Sequence, residues 1–170
     1  MKIFLIGFMG CGKSVLGKRL ASRLKLDFAD LDNLIEERYK MTVPGIFSHF
    51  DECVFRKIES EMLKTFSSSR DNFVLSCGGG TPCFNNNMDL INSSGISIYI
   101  NLTAKSLTDR LLNSKTNRPL IKNTPRERLF ERVTELLEIR EYYYNQAQII
   151  IDGINLKPED IIARIPKLKD

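Results

Sequence analysis

The chain has 170 residues, 42% apolar and 27% charged, with a formal net charge of +4, which is typical of one globular domain spanning 1–170. The uncharged N-terminal stretch 3–12 is too short and too rich in glycine to span a membrane, and no basic run is long enough to predict nucleic-acid binding. The 4 cysteines show no zinc-binding spacing and nothing resembles a signal peptide, so we expect a cytoplasmic protein with reduced thiols. A monomer is expected by default, since no large exposed apolar stripe is left over.

Short apolar runs alternate along the chain with amphipathic helical stretches. The run Lys2–Ile6 predicts a buried strand, and the helix predicted at Lys13–Leu24 carries Leu16, Leu20 and Leu24 on one stripe. Further strands are predicted at 28–30, 73–76, 96–101 and 148–152, with helices at 52–66 and from 124 to about 144. This alternation indicates an α/β fold: a five-stranded parallel sheet with helices on both faces, in three α/β/α layers.

The start of the last long helix has a clear sequence signature. Thr124 is predicted to cap it, Pro125 to take its first position, and Glu127 to complete a capping box.

A polar stretch at about 113–124 precedes that helix. It carries Lys115, Arg118 and Lys122 between two predicted helices. Its length and composition predict a mobile lid that closes over a bound ligand.

The segment GFMGCGKS at 7–14 matches the phosphate-loop pattern GxxxxGK[ST] at every defined position. Glycines allow backbone N–H groups to surround phosphate oxygens, and the following helix directs its positive end at the same anion. Lys13 can reach the outer phosphates, and the Ser14 hydroxyl can ligate Mg²⁺. Because the pattern lies between a predicted strand and a predicted helix, it indicates nucleotide binding.

Two carboxylates, Asp30 and Asp32, follow the second predicted strand. Residues i and i+2 of an extended segment point the same way, so both could face a site at the carboxyl end of the sheet. Asp32 could equally be the cap of a helix that begins at Asn33. Beside a phosphate loop, the functional interpretation is favoured.

Glycines at 78–80 and two helical arginines complete the candidate set. Three consecutive glycines cost conformational entropy, and close approach of the backbone to a ligand would explain them. Arg56 lies three residues before Glu59, which can hold it in place, and Arg140 lies near the end of the last long helix.

Taken together, these segments closely resemble the shikimate kinases over nearly the whole chain. The matching motifs are GFMGCGKS at 7–14, DLD at 30–32, FRKIE at 55–59, GGG at 78–80, RPL at 118–120 and RxxxY at 140–144. The resemblance implies a fold of the nucleoside monophosphate kinase type, with a substrate-binding region at about 31–62. It also implies ATP, Mg²⁺ and shikimate as ligands, with shikimate 3-phosphate and ADP as products.

The resemblance also implies a role for each matched residue. At the nucleotide phosphates it places Gly10, Cys11, Gly12, Lys13, Ser14, Val15 and the lid residue Arg118. At shikimate it places Asp32, Arg56, Gly78, Gly79, Gly80 and Arg140. Ser14 would ligate Mg²⁺ and Asp30 would support the metal through water, while Lys13, Asp32 and Arg118 would be the catalytic residues.

Some expectations stay open at this point. The family's adenine-stacking arginine has no clean counterpart, although Arg110 lies one residue away from the expected spacing. Another small-molecule kinase with a phosphate loop, for gluconate or a nucleotide, would share 7–14 and the lid. A nucleotide-dependent switch is a further alternative, but the chain lacks the NKxD motif with which GTPases read the base.

Overall fold

The computed structural model describes residues 1–114 and 119–166, and its centre is a five-stranded sheet in the order β2-β3-β1-β4-β5. Every pair of neighbouring strands is parallel. The strands are β1 (Lys2–Ile6), β2 (Asp27–Asp30), β3 (Phe73–Ser76), β4 (Ile96–Asn101) and β5 (Ile149–Asp152). The predicted five-stranded parallel sheet is therefore confirmed, with strand ends displaced by one residue at β2 and β5.

Helices cover both faces of this sheet. They are α1 (Lys13–Leu24), α2 (Leu31–Tyr39), α3 (Val43–His49), α4 (Glu52–Ser69), α5 (Asn87–Ser94), α6 (Ala104–Leu112), α7 (Leu129–Tyr144) and α8 (Pro158–Ile162). The crossover from β1 to β2 runs across the sheet in the opposite direction to the later crossovers. Because parallel crossovers are right-handed, α1 lies on one face, where it contacts α8, and the helices of the later crossovers lie on the other.

The hydrophobic core lies on the central strands. Ile3 to Ile6 of β1 and the apolar residues of β3 are fully buried, as parallel strands covered on both faces require. Arg164 donates from Nη1 to the carbonyl of Ile150 on the edge strand β5, at 3.1 Å.

The register of the sheet brings the carboxyl ends of three strands together. Ser76 of β3 is paired with Leu5 of β1 on one side and with Asp30 of β2 on the other. The segments that begin at Gly7, Leu31 and Cys77 therefore leave the same edge of the sheet side by side. This edge is where ligands bind in open parallel sheets.

The predicted start of the last long helix is wrong. A 3₁₀ turn at Arg126–Arg128 comes first, and α7 begins only at Leu129. Pro125 has an extended ψ of 148° and itself precedes the turn, with no side-chain cap. Thr124 instead closes the preceding turn, because its N–H donates to the carbonyl of Ile121 at 3.0 Å.

The predicted lid at 113–124 is covered only in part. Pro119–Ile121 forms a 3₁₀ turn, whereas Lys115 and Arg118 lie outside the described residues. The lid and the substrate-binding region at 31–62 thus remain predictions. A helix able to cross a membrane is absent from residues 1–114 and 119–166.

Candidate active site

The phosphate loop turns between β1 and α1 with left-handed backbone at its glycines. Gly10 has φ of 84°, and Gly12, which precedes the first turn of α1, has φ of 101°. A side chain at either position would be strained. Lys13 is buried, and its Nζ donates to the carbonyls of Gly7 at 2.8 Å and Phe8 at 3.0 Å. The lysine therefore lies within the curve of the loop.

Ser14 and Asp30 are in direct contact at the carboxyl edge of the sheet. The Ser14 hydroxyl donates to Oδ2 of Asp30 at 2.6 Å and lies 3.4 Å from the hydroxyl of Ser76. Oδ1 of Asp30 accepts the backbone N–H of Asp32 at 3.2 Å, which makes Asp30 the cap of α2. The alternative in which Asp32 caps a helix from Asn33 is therefore wrong.

Asp32 lies in the first turn of α2. The predicted extended segment, in which residues i and i+2 would point the same way, is therefore absent between Asp30 and Asp32. Both residues nevertheless line the same cavities. The pKa of Asp32 is raised to about 6, mainly by burial and then by the charges of Asp30 and Glu59. The charge of Lys13 opposes this increase. At neutral pH the group is still ionised, and it is a stronger base than an ordinary aspartate.

Arg56 is buried on α4 between two carboxylates of the same helix. Its Nε and Nη2 donate to Oε1 of Glu52 at 3.1 and 2.9 Å, and its Nη1 donates to Oε2 of Glu59 at 2.8 Å. Burial alone would lower the pKa of Arg56, but Glu59 and Glu52 outweigh it and raise the pKa. Glu59 is itself buried and accepts the hydroxyl of Thr81 at 2.5 Å. The predicted contact between Arg56 and Glu59 is confirmed.

The three glycines after β3 leave room for these charged groups. A Cβ on Gly80 would lie 2.6 Å from Cζ of Arg56, and one on Gly78 would lie 2.6 Å from Oε1 of Glu59. Neither glycine has a positive φ. Three consecutive glycines predict that the backbone comes close to a ligand. At Gly78 and Gly80 the backbone instead comes close to the side chains of Glu59 and Arg56.

Arg140 reaches the same place from α7. It is buried, with its guanidinium 5.4 Å from the centre of the Phe8 ring. In the described part of the chain, its Nη1 is a buried side-chain nitrogen without a hydrogen-bond partner. Tyr144, one turn further along α7, donates its hydroxyl to the carbonyl of Gly79. Gly79 in turn lies against Arg140, since a Cβ there would be 3.4 Å from Nη1.

Two adjoining cavities bring most of the predicted residues together. The first, of about 440 Å³, is lined by the candidate acceptor residues Asp32, Arg56, Gly78, Gly79, Gly80 and Arg140, together with Phe47, Phe55 and Glu59. The second, of about 500 Å³, is lined by Gly10, Gly12, Lys13, Ser14, Val15 and Arg110. Both cavities include Met9, Ser14, Asp30, Asp32, Gly78 and Gly79 in their walls. We call them the acceptor cavity and the phosphate cavity.

Three other predicted residues have different outcomes. Cys11 is buried within the loop, with its Sγ 3.7 Å from Nζ of Lys13. Arg110 donates to the carbonyls of Cys11 at 2.9 Å and Gly153 at 3.4 Å, so it lies against the loop. Arg118 lies outside the described residues.

A phosphate loop between β1 and α1, beside a cavity with buried arginines, defines a kinase of the nucleoside monophosphate kinase-like fold that acts on a small molecule. The family model for shikimate kinase matches residues 9–168, and the chain belongs to the shikimate kinase family. The family resemblance predicted from the motifs is confirmed.

Individual relatives agree over nearly the full length. The chain is 44% identical to a shikimate kinase of Azobacteroides pseudotrichonymphae over 98% of this chain and 99% of that one. A crystal structure of shikimate kinase from Bacteroides thetaiotaomicron is similar with a TM-score of 0.89 and 37% identity, covering 97% of this chain and 96% of that one. A shikimate kinase from Acinetobacter baumannii in complex with shikimate gives a TM-score of 0.89 and 32% identity, covering 99% and 95%.

Sequence reasoning missed several residues that support the site. Glu52 lies four residues before Arg56, and this helical spacing could have identified it. Thr81, which holds Glu59, acts across distant segments that no local spacing reveals. Tyr144 belongs to the RxxxY motif, but the motif did not reveal its contact with Gly79.

The raised pKa of Asp32 predicts a stabilising substitution. Between pH 4 and 6 the folded state holds the Asp32 proton more tightly than the unfolded state, so ionising this group costs stability as the pH rises. In ligand-free protein at pH 7.5, we expect Asp32→Asn to raise the unfolding free energy by up to about 3 kcal/mol. The gain should shrink as the pH approaches 4.

Urea unfolding between pH 4 and 7.5 measures this difference. Asp109→Asn, at an exposed position of α6, is the control and should stay within about 0.5 kcal/mol of the native chain. A gain for Asp32→Asn that does not vary with pH would contradict the assigned cause.

Proposed function

We propose that this chain transfers the γ-phosphate of ATP to the 3-hydroxyl of shikimate, giving shikimate 3-phosphate and ADP in aromatic amino acid biosynthesis. Beyond family membership, one observation carries the proposal. The acceptor cavity has two buried arginines at one side and shares Asp32 with the phosphate cavity. An acid bound by the arginines would therefore present its ring beside the phosphate loop.

The carboxylate of the acceptor is assigned to Arg56 and Arg140. Bonds to described residues use the Nε–H of Arg56 and one N–H on each terminal nitrogen, which leaves one N–H on Nη1 and one on Nη2. The buried Nη1 of Arg140 also needs an acceptor. A planar carboxylate suits such donors, and it would satisfy a group whose burial is otherwise costly.

Asp32 is assigned to the acceptor hydroxyl. It lies where the two cavities meet, and its pKa of about 6 lets it accept that proton more readily than an ordinary aspartate. Phosphoryl transfer passes through a loose transition state, so orientation of the hydroxyl is the larger contribution. Gly79, next to Arg140, is assigned to the ring hydroxyls through its backbone.

The loop glycines Gly10 and Gly12 and the start of α1 are assigned to the phosphates of ATP. Backbone N–H groups and the positive end of α1 would bind the phosphate oxygens. Lys13 would exchange its bonds to the Gly7 and Phe8 carbonyls for phosphate oxygens and offset the charge that develops during transfer.

Magnesium is assigned to Ser14 and Asp30. Their oxygens are 2.6 Å apart, and both residues line the phosphate cavity. A hydroxyl and a carboxylate are hard oxygen donors, which suit Mg²⁺ held mainly by phosphates and water. When bound, the ion would neutralise charge on the phosphates.

Two further roles rest on position in the chain. Arg118, on the predicted lid, would close over the phosphates and help exclude water. Arg110, held beside the loop, is the candidate for contact with the adenine base. All the residues assigned above belong to one chain, so a monomer would suffice.

A coupled assay of ADP release tests the function itself. We expect release to be stimulated by shikimate but not by gluconate or a nucleoside monophosphate.

The kcat/KM for shikimate should rise with pH through about 6, because the protonated form of Asp32 cannot accept the hydroxyl proton. Asp32→Asn should keep its affinity for an ATP analogue and lose turnover by about 10²–10⁴-fold. Absence of stimulation by shikimate would refute the proposal.

Arg140→Ala should weaken shikimate binding by about 100-fold or more, because a charge-assisted carboxylate contact is lost. ATP-analogue affinity should change by less than about threefold, since Arg140 does not line the phosphate cavity. Calorimetric titration of each ligand measures both affinities, with Arg132→Ala on the same helix as the control. An equal loss of both affinities would make Arg140 a structural residue.

Asp30→Asn should raise the Mg²⁺ concentration for half-maximal turnover about tenfold, because the carboxylate that supports the metal through water is lost. Asparagine can still cap α2, so the unfolding free energy should change little. Binding of a fluorescent ATP analogue with and without Mg²⁺ gives a second measurement, and Asp27→Asn on the same strand is the control. An unchanged Mg²⁺ requirement would limit Asp30 to its capping role.

A further inference from the structure

The guanidinium of Arg56 is enclosed by aromatic rings as well as by carboxylates. Its Cζ lies over the rings of Phe84, Phe55 and Phe47, at 4.5, 5.2 and 6.0 Å from their centres. Phe47 and Phe55 line the acceptor cavity, whereas Phe84 is not part of its described lining. The shortest of the three contacts thus comes from a residue to which the proposed reaction assigns nothing.

Phe84 belongs to a segment that contacts Arg56 repeatedly. Gly80 lies so close to the guanidinium that a Cβ would be 2.7 Å from Nη1. Asn85 donates from Nδ2 to the backbone carbonyl of Arg56 at 3.1 Å and to the hydroxyl of Ser60 at 2.9 Å. The segment 80–85 therefore follows the outline of Arg56 at both its backbone and its guanidinium.

Rings and carboxylates act on different parts of a guanidinium. Glu52 and Glu59 accept N–H donors at its edge, where an acceptor carboxylate would also have to bind. A ring lies over the guanidinium and attracts the cation without using a donor. Phe84 can therefore fix the orientation of Arg56 while one N–H on each terminal nitrogen stays available.

We propose that Phe84 is a positioning residue for Arg56 and thereby sets the affinity for the carboxylate of the acceptor. The inference rests on the proposed function, because it takes Arg56 to bind that carboxylate. Phe84 is 37% exposed, so its substitution should disturb the hydrophobic core little. The alternative is an aromatic surface residue without influence on substrate.

Steady-state kinetics of Phe84→Leu tests the inference. We expect KM for shikimate to rise about five- to tenfold, because the cation–π contact is lost while an apolar side chain remains. Both kcat and KM for ATP should stay within about twofold. Phe84→Trp should keep KM for shikimate near the native value, since it restores a ring. Phe130→Leu, at an exposed position of α7, is the control.

The methyl ester of shikimate separates positioning of Arg56 from a general effect on the cavity. The ester lacks the negative charge, so Phe84→Leu and the native chain should bind it equally weakly. If Phe84→Leu does not fold, Phe84→Met is measured instead with the same expectations. An unchanged KM for shikimate, or an equal loss for the ester, would overturn the inference. A native chain that does not phosphorylate shikimate would refute the proposed function itself.

Discussion

The buried ion pair of Arg56 and Glu59 is the constraint on which the acceptor cavity depends. Removing two charges from water is expensive, and their attraction repays the cost only when further hydrogen bonds satisfy both groups. Glu52 supplies such bonds to Arg56, and Thr81 supplies one to Glu59. Because Thr81 follows the glycines after β3, the pair ties α4 to the carboxyl edge of the sheet.

This tie explains why residues from distant parts of the chain meet in one cavity. Gly78 and Gly80 are small because Glu59 and Arg56 occupy the space that side chains would fill. Gly79, between them, is held through its carbonyl by Tyr144 of α7, which also fixes the turn of helix that carries Arg140. The two arginines are 84 positions apart in a chain of 170 residues. Both are nevertheless positioned by the same short backbone segment, 78–80. That segment leaves the sheet beside the phosphate loop, so the acceptor and nucleotide sides are positioned together.

The sequence predicts the parts of this site whose physics is local. A buried strand, a glycine-rich turn and an amphipathic helix each leave a pattern within a few residues, and the phosphate loop combines all three. The predicted start of α7 is wrong because Thr124, Pro125 and Glu127 form a favourable local signal, whereas the chain uses Thr124 to close the preceding turn. The prediction for Asp30 and Asp32 assumes an extended segment, whereas Asp32 lies in the first turn of α2. The closeness of Phe84 to Arg56 has no local signal, since 28 positions separate them in the 170-residue sequence.

The electrostatics of Asp32 follow from the same crowding. Burial, Asp30 and Glu59 all oppose its ionisation, and each is present for another reason: Asp30 caps α2 and holds Ser14, and Glu59 holds Arg56. Lys13 acts in the opposite direction, from the phosphate loop. The lysine that lies within the loop therefore also helps to keep the neighbouring carboxylate ionised, because α1 and α2 both begin at the edge where β1 and β2 end. A base with a pKa of about 6 is thus a consequence of placing a phosphate loop and a carboxylate-binding cavity at adjoining strand ends.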